Sequence, residues 1–274
     1  MTRLVILFGL FWLAACSGQV APAASMPERA MRIVSLDYCA DQYVLKLVDA
    51  ERILAVSPDA VKPFSYMREA AVGVPTVRPF AEDVLIAGPD LIVRSYGGGP
   101  NAAAFFERAG VPVLNVGWAS DLDGVRAVMQ NMAEGLGEPE RGAQIVADMD
   151  ARLAAVLPAQ DDRRALYMTP FGVTTGPGSL VHEMLVAAGL RNYQEAQGWH
   201  PLPLERLAYE RPDMVVAAFF EGDSGSKDAW SAMRHPVARA QVRDLPSVQL
   251  EGAWTSCGAW FLVDAVEALA EGAP

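Results

Sequence analysis

The amino-acid sequence predicts an α/β protein of two Rossmann-like lobes, each built on a parallel sheet, joined by a single long α-helix. Three observations carry that expectation. Short, β-branched apolar runs alternate with helical stretches, the mark of parallel strands covered on both faces. The alternation stops between Asp121 and Leu157, where the pattern reads as two helices and no strand. A unit from before that interruption, "EDVLIAGPDLIV" at Glu82–Val93, returns after it as "ERLAYERPDMVV" at Glu205–Val216; in both, a glutamate stands seven residues before a Pro-Asp pair.

The first lobe is expected over residues 32–120. "RIVSL" reads as its first strand, and Val44, Leu45, Leu47 and Val48 give the following helix one apolar face. "RILAV", "DLIVRS" and "VPVLNV" repeat the strand signal, with "NAAAFFERAG" as an intervening helix. The connector is expected over 121–157. Its first helix ends near Gly135 and Gly137, residues suited to a helix C-terminus. Its second opens on Pro139, where a first turn tolerates proline, and runs over 139–157, a length of about 28 Å at 1.5 Å per residue. Ile145, Met149, Leu153 and Val156 or Leu157 form its apolar stripe. The second lobe is expected over 162–274, with "RALYMT", "DMVVAA" and "SVQL" as strands and "GSLVHEMLVAAGL", "ERLAYER" and "AWFLVDAVEALAEG" as helices. No Gly/Ser linker separates the halves, which favours lobes held at a fixed spacing. Asp90 and Asp213 read as turn residues beside a proline.

Residues 1–16 read as a signal peptide: Arg3 precedes an uncharged run from Leu4 to Ala15, too short to span a bilayer as a helix. The run ends in Leu13-Ala14-Ala15-Cys16, which resembles a bacterial lipobox and would place a lipid on Cys16; the rival is ordinary cleavage near Ala21-Pro22-Ala23. On either reading the chain is exported, with residues 17–31 as a polar tether. Cys39 and Cys257 then remain, and they are open to two readings, one disulfide or two small residues in tight loops. In the first, the bridge would join opposite lobes at the cleft.

Composition is that of a folded globular protein, 52% hydrophobic and 20% charged, and the net charge of −11 with no basic run excludes a nucleic-acid partner. The histidines His182, His200 and His235 are scattered without metal-clamp spacing, so no metal site and no cofactor is expected. An exported α/β hydrolase is the competing class. It would need Gly-x-Ser-x-Gly with a distant histidine, but "GPGSL" places Val181 where the second glycine belongs, and His182 lies immediately beyond. The chain is read as no enzyme.

The fragments "RIVSLDYCADQYVLKL", "GLGEPERGAQIVADMDARLAAVL", "TTGPGSLVHEMLVAAGLRN" and "WTSCGAWFLVDAVEAL", in this order and spacing, resemble the helix-linked substrate-binding proteins of bacterial ABC importers for ferric siderophores, haem and cobalamin. The resemblance spans Arg32 to the C-terminus. It implies a periplasmic monomer, lipid-tethered, that captures a small-molecule metal chelate between its lobes, a ferric siderophore or a cobalamin-like compound, with haem as the alternative. It implies ABC permease and ATPase subunits as partners and contact with the membrane only through the anchor. It further implies that one exposed glutamate per lobe, here Glu82 and Glu205, docks on permease arginines, a pairing that fits carboxylate–guanidinium chemistry.

In open α/β sheets ligands gather at the carboxyl ends of the strands. The residues expected there are Tyr38, Tyr66, Arg94, Tyr96 and Trp118 from the first lobe and Phe171, Trp199, Phe220 and Trp254 from the second. Aromatic faces suit a flat, half-polar ligand. Arg94, followed by Gly97-Gly98-Gly99, is expected to meet an anionic chelate.

Overall fold

The computed structural model describes residues 25–26, 29–159, 162–219 and 232–273. Residues 1–16, read above as a signal peptide ending in Cys16, and Phe220 lie outside the described residues.

The first lobe runs β1 (Ile33–Ser35), α1 (Tyr38–Leu47), β2 (Ile53–Ala55), α2 (Ala81–Ala87), β3 (Leu91–Arg94), α3 (Ala102–Arg108) and β4 (Val113–Asn115). Its strands form one parallel sheet in the order β2-β1-β3-β4. Strands β1 and β3 are buried along their whole length, which is why they read as continuous apolar runs. Helices α4 (Leu122–Gly135) and α5 (Pro139–Ala155) follow. The second lobe runs β5 (Arg164–Met168), β6 (Val173–Thr175), α6 (Leu180–Ala187), β7 (Arg191–Asn192), β8 (Trp199–Pro201), α7 (Leu204–Tyr209), β9 (Met214–Phe219), α8 (Pro236–Asp244), β10 (Ser247–Glu251), α9 (Gly252–Thr255) and α10 (Leu262–Gly272). A second parallel sheet has the order β10-β9-β5-β7, and β6 pairs with β8 antiparallel.

Helix α5 ends two residues before the expected Leu157. Val156 is extended and caps the helix, and Pro158 disfavours helical backbone at Leu157, the residue ahead of it. Leu157 is exposed and Val156 takes the last place in the stripe: Met149 is buried, and Ile145, Leu153 and Val156 pack against the core. Gly142 lies where α4 crosses α5: a Cβ there would stand 2.3 Å from the Ala133 side chain. The rod is pinned at both ends. Arg141 donates to the Leu47 carbonyl at 2.6 Å and to Asp49 at 2.8 Å on the first lobe. Arg152 donates to Asp264 at 2.6 Å and Glu267 at 2.9 Å on α10 of the second. Arg52, fully buried, ties the α4–α5 turn to the first lobe through the Ala30 and Leu136 carbonyls and an ion pair with Glu138.

The duplicated unit is built the same way in both lobes. Asp90 accepts the Met31 N–H just ahead of β1 at 3.0 Å, and Asp213 accepts the Arg164 N–H at the start of β5 at 2.8 Å. Arg32, just ahead of β1, reaches the carbonyls ending α2, Ala87 and Gly88, both at 2.7 Å; Arg164 reaches from β5 past the end of α7 to the Arg211 carbonyl at 2.9 Å. Each aspartate is thus a clamp between the repeated turn and the first strand of its lobe.

Candidate functional site

Residues just beyond β1, β2 and β10 meet across the lobes, so the carboxyl ends of the two sheets face one another. Cys39 and Cys257 are bridged, with an S–S distance of 2.05 Å. On either side of Cys257, the Tyr38 hydroxyl donates to the Ser256 carbonyl at 3.2 Å and the Tyr43 hydroxyl to the Gly258 carbonyl at 3.0 Å. Ser256 donates to the Phe64 carbonyl at 2.8 Å, and Arg68 pairs with Glu251 at 2.8 Å. The opening turn of α1 and the loop ahead of α10 are therefore stapled together on the floor between the lobes.

Asp37 organises the first-lobe wall. One carboxylate oxygen caps α1 through the Ala40 N–H at 3.0 Å; the other accepts three consecutive backbone N–H groups, Ser95, Tyr96 and Gly97, at 2.7, 3.0 and 2.8 Å. An aspartate directly after a strand and before an apolar helix is a legible cap signal, but its second role depends on the fold. The three N–H groups wrap the β3 loop around it and set Tyr96 beside Tyr38, ring centroids 6.0 Å apart and edge-on. Tyr38 is also edge-on to Phe64 at 4.9 Å. Burial, reinforced by the Asp37 and Asp59 carboxylates, raises the Tyr38 phenol, so it remains an O–H donor at neutral pH.

Four rings expected at the strand ends are exposed: Tyr96, Phe171, Trp199 and, at 89%, Trp118. Trp199 stands edge-on to Tyr167 of β5 at 6.2 Å, and burial raises that tyrosine's hydroxyl to about 12. Trp118 precedes Ala119, whose carbonyl is 4.0 Å from where a Cβ on Gly258 would stand, which sets it on the seam between the lobes. Trp254, in α9, is half-buried and packs on the core.

Two expected ligand residues are committed elsewhere. Arg94 is buried, its guanidinium donating to the Gly97 carbonyl at 2.7 Å, the Gly99 carbonyl at 2.9 Å and Asn115 at 3.3 Å. It braces the glycine loop from inside. The glycines serve the same packing: a Cβ on Gly97 would lie 2.4 Å from the Leu36 carbonyl. Tyr66 stacks on Phe261 at 4.2 Å and donates to Asp264 at 2.6 Å, joining first lobe to second in the shared core. Ser179, the nucleophile that a hydrolase would require, caps α6 by accepting the His182 N–H at 3.2 Å and donates to the Gly176 carbonyl at 2.9 Å. Glu82 and Glu205 are exposed in the first turns of α2 and α7. Among the described residues no group of three or more His, Cys, Asp or Glu side chains could hold a metal ion, and no helix is long and apolar enough to cross a membrane.

Two parallel α/β lobes, braced by a rod and facing each other through the carboxyl ends of their strands, define a bilobed binding protein. The family model described as "Periplasmic binding protein" matches residues 33–234, and the chain belongs to that family. It is 24% identical over 204 residues to the cobalamin-binding protein of Halobacterium salinarum, covering 71% of this chain and 55% of that one, so the chain spans about half the length of that curated relative. Among solved structures it is similar to the periplasmic heme binding protein HutB of Vibrio cholerae, with a TM-score of 0.70 at 17% identity over 88% of this chain and 98% of that chain. A periplasmic heme binding protein from Pseudomonas aeruginosa gives a TM-score of 0.68 at 23% identity over 88% and 91%. The vitamin B12 binding protein BtuF of Vibrio cholerae gives 0.58 at 21% over 89% and 96%. At these identities the structural likeness is one of fold.

Proposed function

We propose that the chain is the substrate-binding component of an ABC importer, exported and held at a membrane through a lipid on Cys16, and that it captures a metal chelate between its lobes for delivery to the permease. The observation that carries this is the set of exposed rings at the facing strand ends, Tyr96 and Trp118 from one lobe and Phe171 and Trp199 from the other. Large apolar rings left bare beside a hydrogen-bonded floor suit a broad, planar, half-polar ligand. The first-lobe wall offers the exposed Tyr96 ring with its phenol, and the guanidinium of Arg94, the candidate cation, is hydrogen-bonded within its own loop. A ligand recognised by ring faces and hydroxyls fits better than a compact anion. The corrin and porphyrin ligands named for the similar proteins share that character, as does an aromatic ferric siderophore. Trp254 and Phe220 complete the proposed lining. Glu82 and Glu205, one on each lobe, are proposed to dock on permease arginines.

Titrating tryptophan fluorescence with cyanocobalamin, haemin and ferric catecholates tests the reading. Saturable quenching by one of them, weakened at least tenfold in Trp118→Ala and Trp199→Ala, is expected. Failure of all three classes to quench would overturn the assignment of substrate. Charge reversal of Glu82 and Glu205 together is expected to abolish uptake and leave that titration unchanged.

A further inference from the structure

We propose that each docking carboxylate is half of a two-part anchor, the other half being the large apolar side chain one helical turn later: Ile86 beside Glu82, and Tyr209 beside Glu205. The inference rests on the docking role proposed above and adds the chemistry that the partner must present.

Helices α2 and α7 correspond position by position. Val84 and Leu207 point inward and are buried, at 0% and 2% exposure. Ile86 and Tyr209 point outward, at 81% and 95%. A spacing of four residues sets each of them on the same face as the glutamate before it. One exposed apolar side chain on a protein surface is ordinary. Here one recurs at the same place in a duplicated unit, each time beside an exposed carboxylate. The remaining charges on these helices are spent within the protein: Asp83 on Arg78 at 2.8 Å, and Arg206 on Glu210 at 2.9 Å and on the face of the Tyr193 ring at 4.2 Å. Among the described residues Glu82 and Glu205 take part in no ion pair and no side-chain hydrogen bond. The Arg32 and Arg164 clamps fix the C-terminal ends of both helices to their lobes, so both faces are presented ready-made and little ordering cost remains for binding.

The occupant that fits is the periplasmic face of the permease, offering at each of two places a guanidinium with an apolar recess about one helical turn, roughly 5–6 Å, away. In such a pair the exposed charge governs encounter and the desolvated apolar contact governs residence.

Binding of the protein, without added ligand, to the permease complex from the same organism in nanodiscs separates the two contributions. The Ile86→Ser/Tyr209→Ser double variant is expected to dissociate at least tenfold faster, with association, its salt dependence and the melting temperature unchanged. Glu82→Gln/Glu205→Gln is expected to associate more slowly, with a flattened salt dependence. Dissociation within twofold of wild type for the serine pair overturns the two-part anchor while leaving the docking role of the glutamates standing. Unchanged association and uptake in the glutamine pair removes the docking role itself. Binding of the wild type to protein-free phosphatidylethanolamine–phosphatidylglycerol vesicles, lost on the serine changes, would assign the apolar residues to lipid and overturn the proposal.

Discussion

Asp37→Asn tests whether one carboxylate holds the first-lobe wall. The native side chain serves four backbone donors, three in the Ser95–Gly97 loop and one at the start of α1. A carboxamide has a single acceptor oxygen. Turned to the loop, it faces its NH₂ toward the Ala40 N–H, and the helix loses its cap, a cost of about 1 kcal/mol. The three loop bonds then pass from an ionised to a neutral acceptor, each giving up roughly 0.5–1 kcal/mol. The sum is about 3 kcal/mol, which lowers the melting temperature by roughly 6–12 °C at the 2–4 °C per kcal/mol usual for a protein of this size. Asp37→Ala leaves all four donors without their acceptor and should cost more. Calorimetry on the oxidised protein measures both. A change under about 1 kcal/mol for either variant would mean that Asp37 does not organise this wall. Tyr96 rides on the same loop, so the asparagine variant is also expected to weaken the ligand titration.

Burial, against hydrogen bonds from Ser35 and Ser57, raises the Asp41 carboxyl well above the ordinary carboxylate range, to about 7. The folded form therefore holds a proton that the unfolded chain releases, and stability is expected to fall as pH rises from about 4 to 7; melting curves across that range should flatten in Asp41→Asn, and an equal slope in both proteins would exclude Asp41 as the source. Replacing Cys39 and Cys257 with serine removes the cross-lobe bridge and should cost about 2–4 kcal/mol, with a melting temperature insensitive to dithiothreitol; a wild-type melt that reductant fails to shift would contradict this. Arg52→Met strands the Ala30 and Leu136 carbonyls and strips Glu138 of its buried partner, and urea unfolding should show a loss of about 3 kcal/mol; less than 1 kcal/mol would show that the α4–α5 turn is held by other contacts.

Parallel strands buried on both faces betray themselves as apolar runs, and so β1, β3, β5 and β9 were readable without coordinates. The Glu-to-Pro-Asp repeat was readable too, and with it the correspondence of the lobes. The β6–β8 pair was not. Trp-His-Pro carries no alternating pattern, and its pairing with Val-Thr-Thr is made by residues distant in sequence. Helix α10 starts at Leu262, later than the apolar period suggested, because Trp260 and Phe261 are drawn into the ring cluster with Tyr43 and Tyr66. The internal hydrogen bonds of Arg94 are hidden from the sequence for a similar reason. An arginine ahead of three glycines reads as an anion hook unless one knows that the loop folds back to offer it carbonyls. The exposed rings at the strand ends needed only the rule that ligands collect there; the cap-and-loop role of Asp37 needed the third dimension.

The cystine at the lobe junction joins residues 218 apart, and this governs how the protein must be made. In the export proposed above, the first thiol emerges long before its mate, so the link closes only once almost the entire polypeptide has crossed into an oxidising space. Material produced in a reducing cytosol begins as the open dithiol, and measurements of affinity or mouth geometry on such preparations depend on whether oxidation was completed before the experiment.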